Sequence, residues 1–328
     1  MLSQRKLAVY DLKYCPITFD FIHFLAAARL YFARLTGSTE FDLLIVADEF
    51  RRTSPRDIAF NVQTKDWRLH NLILPILACS PFVHSFTISR ARPFETPKDV
   101  LTYPPDYSPK EPHSPGYYFG SALNKYYFNS LHPACLQAPA NAIFHAKNLF
   151  STTKKKALIS PRFSNFEPSR NTKSSHILGI IDRLTKKGFE VGFVHDQEDH
   201  GEFSQYITTI PNITLIPEAA FNIPIRLALI EIANVNIFTP CAISGFGAIA
   251  KSHPNFICFD MHKPANKSFT GDFNDYELRG GMSPGKTYPY PWSTKNNIFI
   301  WDKIFDVDKV VEAAIYVSKF ARPDHLRD

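Results

Sequence analysis

The sequence predicts an α/β protein of two domains, each built on a parallel, doubly wound sheet. Three observations carry this. From residue 156 onward short apolar runs alternate regularly with segments of helical periodicity. The first half opens with the same alternation, and 328 residues is length for two domains. Strands separated by helices of this size require right-handed crossovers, which place consecutive strands parallel.

In the first half, Leu7–Tyr10 reads as a strand, and Phe21, Phe24, Leu25, Ala28, Phe32 and Leu35 form one face of a long helix. A strand at Asp42–Ala47, a helix at Trp67–Leu77 with Pro75 near its end, and a strand at Phe86–Ser89 follow. The alternation then stops. Between Pro93 and Pro139 nine prolines fall in 47 residues, interleaved with Tyr103, Tyr107, Tyr117, Tyr118, Tyr126 and Tyr127. A long irregular stretch inside a domain is usually functional, and so many rings argue for an ordered loop. The loss of apolar pattern at Ser151-Thr152-Thr153-Lys154 places the domain boundary, giving domains 1–152 and 153–328.

The second half begins with the strand Lys156–Ser160. Ile177, Ile180, Ile181 and Leu184 follow at helical spacing, closed by Gly188. Strands are expected at Val191–Val194, Ile213–Ile216, Val235–Thr239, Phe256–Phe259 and Ile298–Trp301. Helical faces run through Ile225, Leu229 and Ile232 and, behind an Asp306 cap, through Val307, Val310, Val311 and Ala314.

Composition narrows the function. With 45% hydrophobic and 21% charged residues the chain is globular rather than disordered. The five cysteines are scattered and form no C-x-x-C pair, so neither a disulfide framework nor a cysteine zinc site is expected. No apolar signal segment opens the chain, and the most apolar stretch, Phe21 to Leu35, is interrupted by His23, Arg29 and Arg34. A soluble cytoplasmic protein is expected, with peripheral contact at the inner face of a membrane left open. The net charge of +6 is spread along the chain without a basic stripe, which argues against nucleic acid and suits a small anionic ligand or an anionic surface.

In open parallel sheets ligands bind beyond the carboxyl ends of the strands, where loops and helix N-termini converge. Those positions in the second domain hold Arg162, Asn165, Arg170, Asn171 and Lys173 after the first strand, and His195 and Asp196 after the next. Glu218 follows the third, Ser244-Gly245-Phe246-Gly247 the fourth, and Asp260 and His262 the fifth. Arg162 offers a planar fork to phosphate oxygens, and the Ser244–Gly247 turn offers backbone N–H groups ahead of a helix. His195 to His200 gathers two histidines and three carboxylates, but contiguous residues rarely converge on one ion and no H-E-x-x-H is present. No metal site is expected, although Asp272 and Asp275 in Asp272-Phe273-Asn274-Asp275 deserve note. Neither a nucleophile elbow nor a catalytic Cys-His signature appears.

Several segments together carry a resemblance: Tyr14-Cys15-Pro16 with Phe19-Asp20-Phe21, Ile159-Ser160-Pro161-Arg162 with Pro168-Ser169-Arg170-Asn171, and Gly192-Phe193-Val194-His195-Asp196. Leu229 to Asn236 leading to Ser244-Gly245, and Pro291-Trp292-Ser293-Thr294 with Ile300-Trp301, complete it. In these the chain resembles GT-B-type glycosyltransferase-like proteins of bacterial surface-polysaccharide (lipopolysaccharide or capsule) gene clusters, which have two facing Rossmann-like domains. The departure is at Ser244–Gly247, where related proteins often carry Asn-Gly or Gly-Gly.

The resemblance implies a nucleotide-sugar donor at the carboxyl ends of the second sheet and a saccharide or lipid-linked acceptor on the first domain across a cleft. Arg162 with Arg170 or Lys173 then neutralises the departing diphosphate without a metal or other cofactor. Asn171, His195, Asp196, Glu218, Ser244, Gly245 and Gly247 complete the donor site. The acceptor hydroxyl needs a base. Asp20 is the candidate, with Asp11, Asp48 and Glu49 as positional alternatives, while Glu277 and Arg279 join Asp272 and Asp275 as possible contacts to the donor sugar. Two other functions fit the same architecture: a nucleotide-sugar epimerase, and a non-catalytic saccharide- or nucleotide-binding subunit.

Overall fold

The structure, a computed structural model, describes residues 5–52, 61–93, 95, 99–110, 121–128, 131–150, 153–164, 168–196, 207, 210, 213–261 and 281–320. The chain divides into two compact units, residues 1–136 with 278–282, and residues 137–277 with 283–328. The division falls between Leu136 and Gln137 rather than at Ser151–Lys154, because the helix at 140–149 packs within the second unit.

The first unit holds β1 (Arg5–Asp11), α1 (Phe21–Thr36), β2 (Phe41–Val46), β3 (Val83–Ser89) and β4 (Val100–Tyr103) in a parallel sheet of order β3-β2-β1-β4. α1 buries Phe21, Phe24, Leu25, Ala28 and Phe32, whereas Leu35 in its last turn is exposed. Gly37, at φ 72°, closes the helix in the left-handed conformation that glycine adopts without strain. The next helix runs as α2 (Val62–Arg68), a π turn at Leu69–Ile73, and α3 (Leu74–Ala78). Pro75 stands at the start of α3, where its missing N–H follows the wider π turn instead of breaking a regular ladder.

The stretch read as an irregular loop from Pro93 to Pro139 contains β4, paired with β1, and α4 (Ser121–Tyr126). Its tyrosines are in part core. Tyr103 and Tyr126 are buried and pack with Tyr31, all three ring pairs lying 5.4–5.7 Å apart between centroids. The rings therefore close a core that a four-residue strand could not cover by itself. Residues 94, 96–98, 111–120, 129 and 130 of this stretch, with Tyr117 and Tyr118, lie outside the described residues.

The second unit contains α5 (Ala140–Leu149), β5 (Lys156–Ser160), α6 (Ser174–Lys186), β6 (Glu190–Phe193) and β7 (Ile213–Leu215). These are followed by α7 (Glu218–Phe221), α8 (Ile223–Ile232), β8 (Val235–Phe238), α9 (Ala242–Ile249), β9 (Phe256–Cys258), β10 (Asn297–Phe299) and α10 (Val307–Val317). All six strands are parallel in the order β10-β9-β8-β5-β6-β7. α6 buries Ile177, Ile180, Ile181 and Leu184 against the sheet beside Val310, Val311 and Ala314 of α10, whose N-cap Asp306 accepts from the N–H of Asp308. The sheet turns back on itself between β5 and β8, the switch point where loops from neighbouring strands diverge and leave a crevice.

Ser244–Gly247 is not a turn ahead of a helix. It lies inside α9, which starts at Ala242 with Cys241 as N-cap. A Cβ on Gly247 would meet Phe238 at 3.0 Å and Phe256 at 3.1 Å, so glycine there lets the helix lie close on β8 and β9. Packing overrides the low helix propensity of glycine. Among the described residues no helix is long and apolar enough to cross a membrane.

Candidate active site

Arg162 leaves the end of β5 beside the switch point and is only 7% exposed. Its backbone bridges both flanks. The Arg162 N–H donates to Thr239 Oγ1 (3.0 Å) beyond β8, and its carbonyl accepts from the Thr172 N–H (3.2 Å) ahead of α6. The guanidinium donates to Asn171 Oδ1 (2.7 Å). Asn171 also spans the backbone of Ser164, accepting from its N–H and donating to its carbonyl, each at 2.9 Å. Asn171 is thus a staple that fixes the β5–α6 loop and the direction of Arg162. Arg170 crosses to the other flank and donates to the Pro240 carbonyl (3.0 Å). Lys173 is exposed at the N-cap position of α6.

Asp196, after β6, accepts from the Phe163 N–H (3.2 Å) and so joins this loop. His195 Nδ1 lies 2.7 Å from the Asp196 carbonyl, and its ring stands edge-on to Phe221, 6.3 Å between centroids. Phe221 ends α7 with its ring half exposed, and Glu218 begins the same turn of helix with its carboxylate 3.9 Å from His145. Ser244 donates to the Cys241 carbonyl at the start of α9 (2.7 Å), and Gly245 and Gly247 sit in the same helix. The structure therefore joins Arg162 directly to Asn171, and brings Arg170 and Asp196 to the same strand ends through bonds to the Pro240 carbonyl and the Phe163 N–H. The two glycines do not line a turn, and Gly247 faces the sheet.

One residue of this edge escaped the sequence reading. Arg226, in the first turn of α8, is 4% exposed, and burial lowers its pKa against the opposing effects of the nearby Asp196 and Cys241. The available signal was the helix itself, since Ile223–Ile232 is apolar all round and such a helix buries its charged residues too.

In the first unit Asp20 is the N-cap of α1 and accepts from Thr18 Oγ1 (2.6 Å), with His23 at 3.8 Å. The positional alternatives are tied together by Arg92, which the sequence did not single out. Its guanidinium donates to both oxygens of Asp48, at 2.9 and 3.0 Å, and to both oxygens of Asp11, which is wholly buried. Tyr107 adds a third donor to Asp11 at 3.3 Å. Burial works against the charge of Arg92, but hydrogen bonds and charge from Asp11 and Asp48 outweigh it and hold the guanidinium more firmly protonated than usual. Glu49 pairs with Lys13 at 3.2 Å. Among the described residues no group of three or more His, Cys, Asp or Glu is arranged to hold a metal ion. Asn165, Gln197–His200, His262, Asp272, Asp275, Glu277 and Arg279 lie outside the described residues.

Two parallel, doubly wound α/β units with polar loops gathered at strand carboxyl ends define the class. The chain matches no family model, and no curated protein matches it by sequence. Its fold is similar to that of E. coli ADP-heptose LPS heptosyltransferase II, at 11% identity and a TM-score of 0.59, over 95% of this chain and 98% of that one. A glycosyl transferase family 9 structure from Veillonella parvula DSM 2008 matches over 97% of this chain and 98% of its own, at 11% identity and a TM-score of 0.49.

Proposed function

We propose that the protein is a metal-independent glycosyltransferase that moves a sugar from a nucleotide-sugar donor to a saccharide or lipid-linked acceptor in surface-polysaccharide synthesis. The observation that carries the reading is the pair Arg162 and Arg170 at the switch point of the second sheet, the first nearly buried and both held by bonds to the loops on either side. The similarity of fold to an enzyme named for an ADP-sugar supports it.

A nucleoside diphosphate leaving the sugar gains negative charge on its terminal phosphate. Guanidinium groups already fixed in position stabilise that charge without reorganising, and more strongly in a site with little water. Arg162 takes this role, with Arg170 and Lys173 beside it, and Asn171 keeps Arg162 aimed. His195, Asp196 and Glu218 are assigned to the nucleoside end, near the half-exposed Phe221. Acceptor binding belongs to the first unit. There Asp20 is assigned as general base, because Asp11 and Asp48 are committed to Arg92. The reaction is placed on the cytoplasmic side, with the protein soluble or peripheral at the membrane.

Thermal shift with ADP, GDP, UDP and CMP tests the donor site, because a ligand at 100 times its Kd adds about 2.7 kcal/mol of stability. One of the four is expected to raise Tm, with and without EDTA, and Arg162→Ala to remove the response. No response to any of them overturns the reading. Sugar transfer to an acceptor extract is expected in the wild type and lost in Asp20→Asn with the nucleotide response intact. Donor turnover without acceptor instead makes the protein an epimerase, and binding without any turnover makes it a binding subunit.

A further inference from the structure

The crossover topology fixes where Arg226 lies. α8 runs from the carboxyl end of β7 back to the start of β8, so its first turn stands at the carboxyl edge of the sheet. Asn222 caps that turn by accepting from the Ile225 N–H (3.0 Å), and the far end is held at the opposite edge, where Asn236 of β8 donates to the Ile230 carbonyl (2.9 Å). The helix packs on β5 and α9. Arg226 therefore belongs to the same edge as Arg162, between the loops that carry Asp196 and Cys241.

The chemistry of Arg226 is incomplete as it stands. Among the described residues its guanidinium makes no hydrogen bond and no ion pair, and its Nε is wholly buried without a partner. Arg29 and Arg162 are buried to a similar degree; Arg29 shares the unpartnered Nε, but each of the two has a partner for another guanidinium nitrogen. Arg29 donates to the His132 carbonyl (2.6 Å) and lies 4.2 Å over the Phe82 ring, and Arg162 donates to Asn171. Two more donors at this edge share the condition of Arg226. Ser160 Oγ, at the last residue of β5, and Thr172 Oγ1, whose N–H meets the Arg162 carbonyl, are buried and without a partner. A buried charge without hydrogen bonds is unfavourable and persists where something else completes it. A group rich in acceptors and negatively charged would complete the Arg226 guanidinium.

We infer that Arg226 is a phosphate-contacting residue of the donor site, its guanidinium meeting the ligand's phosphate beside Arg162. The inference rests on the reading of the second unit as an anion-binding donor site, and it adds a residue that acts on the ligand from α8 rather than from the strand-end loops. It also gives a role to one of the two buried charged residues of this largely apolar helix.

The test uses the full chain, with inorganic pyrophosphate and the four nucleotides as probes in calorimetric titration, and with Tm measured in the absence of ligand. Arg226→Met keeps the length and apolar stem. It is expected to bind pyrophosphate and the responding nucleotide at least tenfold more weakly than wild type, and to melt at the same temperature or higher, because an unpaired buried charge is gone. Arg226→Gln serves if the methionine variant does not fold, with the same expected loss of binding. Affinities within twofold of wild type overturn the inference while leaving the donor-site reading in place, and a lowered Tm alongside them marks Arg226 as structural only. If wild type binds pyrophosphate but none of the nucleotides, and Arg226→Met loses that binding, the inference stands and the nucleotide reading fails. Failure of wild type to bind any of the probes overturns both.

Discussion

Both sheets are parallel and reverse their strand order once, but the charges at their carboxyl edges are met differently. In the first unit the loops after β1, β2 and β3 are stitched by one guanidinium between two carboxylates, with Arg92 meeting both oxygens of Asp11 and of Asp48. In the second unit Arg162, Arg170 and Arg226 gather at the edge with Asp196 as the nearby carboxylate, and Arg226 meets no partner among the described residues. One edge satisfies its charges internally and serves as a clasp. In the other, the Arg226 guanidinium is left without a hydrogen bond among the described residues.

The strongest way to break this comparison is Arg92→Met. Removing the partly buried guanidinium leaves the wholly buried Asp11 uncompensated, and the expected loss, reduced by the partial exposure of Arg92 and Asp48, is about 2–4 kcal/mol. Denaturant unfolding should show it, and Asp11→Asn in the same chain should recover part of the loss. An effect under 1 kcal/mol would mean that the clasp contributes little.

Glu231, the second charged residue of α8, sharpens the comparison from the side of stability. Burial is the main cause that pushes its carboxyl up to about 7, against the smaller opposing effects of the Ala138 N–H it accepts at 2.8 Å and of Lys251. An ordinary glutamate titrates near 4.3. Between those values the folded state binds the additional proton, so stability contributed by the protonated form is complete below about pH 4 and is lost as pH rises through 7. Glu231→Gln keeps the acceptor for Ala138 and stays neutral. It is expected to be more stable than wild type at pH 8 by about 2–3 kcal/mol and no more stable at pH 4, as read from urea unfolding at the two values.

The smallest expected effect separates packing from ligand binding within α9. Gly247→Ala forces a Cβ against Phe238 and Phe256 and is expected to cost about 1–2 kcal/mol, with nucleotide affinity unchanged. A tenfold loss of affinity at unchanged Tm would return Gly247 to the phosphate site.

What could be read before folding followed from local periodicity. Ile177, Ile180, Ile181 and Leu184 name a helix face whatever surrounds them, and Asp306 marks its helix start because a cap is a local bond. β4 was hidden because Val100–Tyr103 is four residues in proline-rich sequence, and only its pairing with β1 makes it a strand. Ser244–Gly247 misled because two glycines suggest a turn, while the nearness of Phe238 and Phe256 makes them helix. Arg162, Arg170 and Asn171 were placed after the end of β5 by a rule of topology, that loops after parallel strands converge, and they lie there. Arg92 and Arg226 were not found, since their surroundings come from residues far away in the chain.

The class of fold and the direction of the strands were legible in the amino-acid order alone, because hydrophobic period and crossover handedness are properties of short segments. Which charges meet a partner emerged with the packed fold. That depends on burial and on partners tens of residues apart, and no window of sequence contains either.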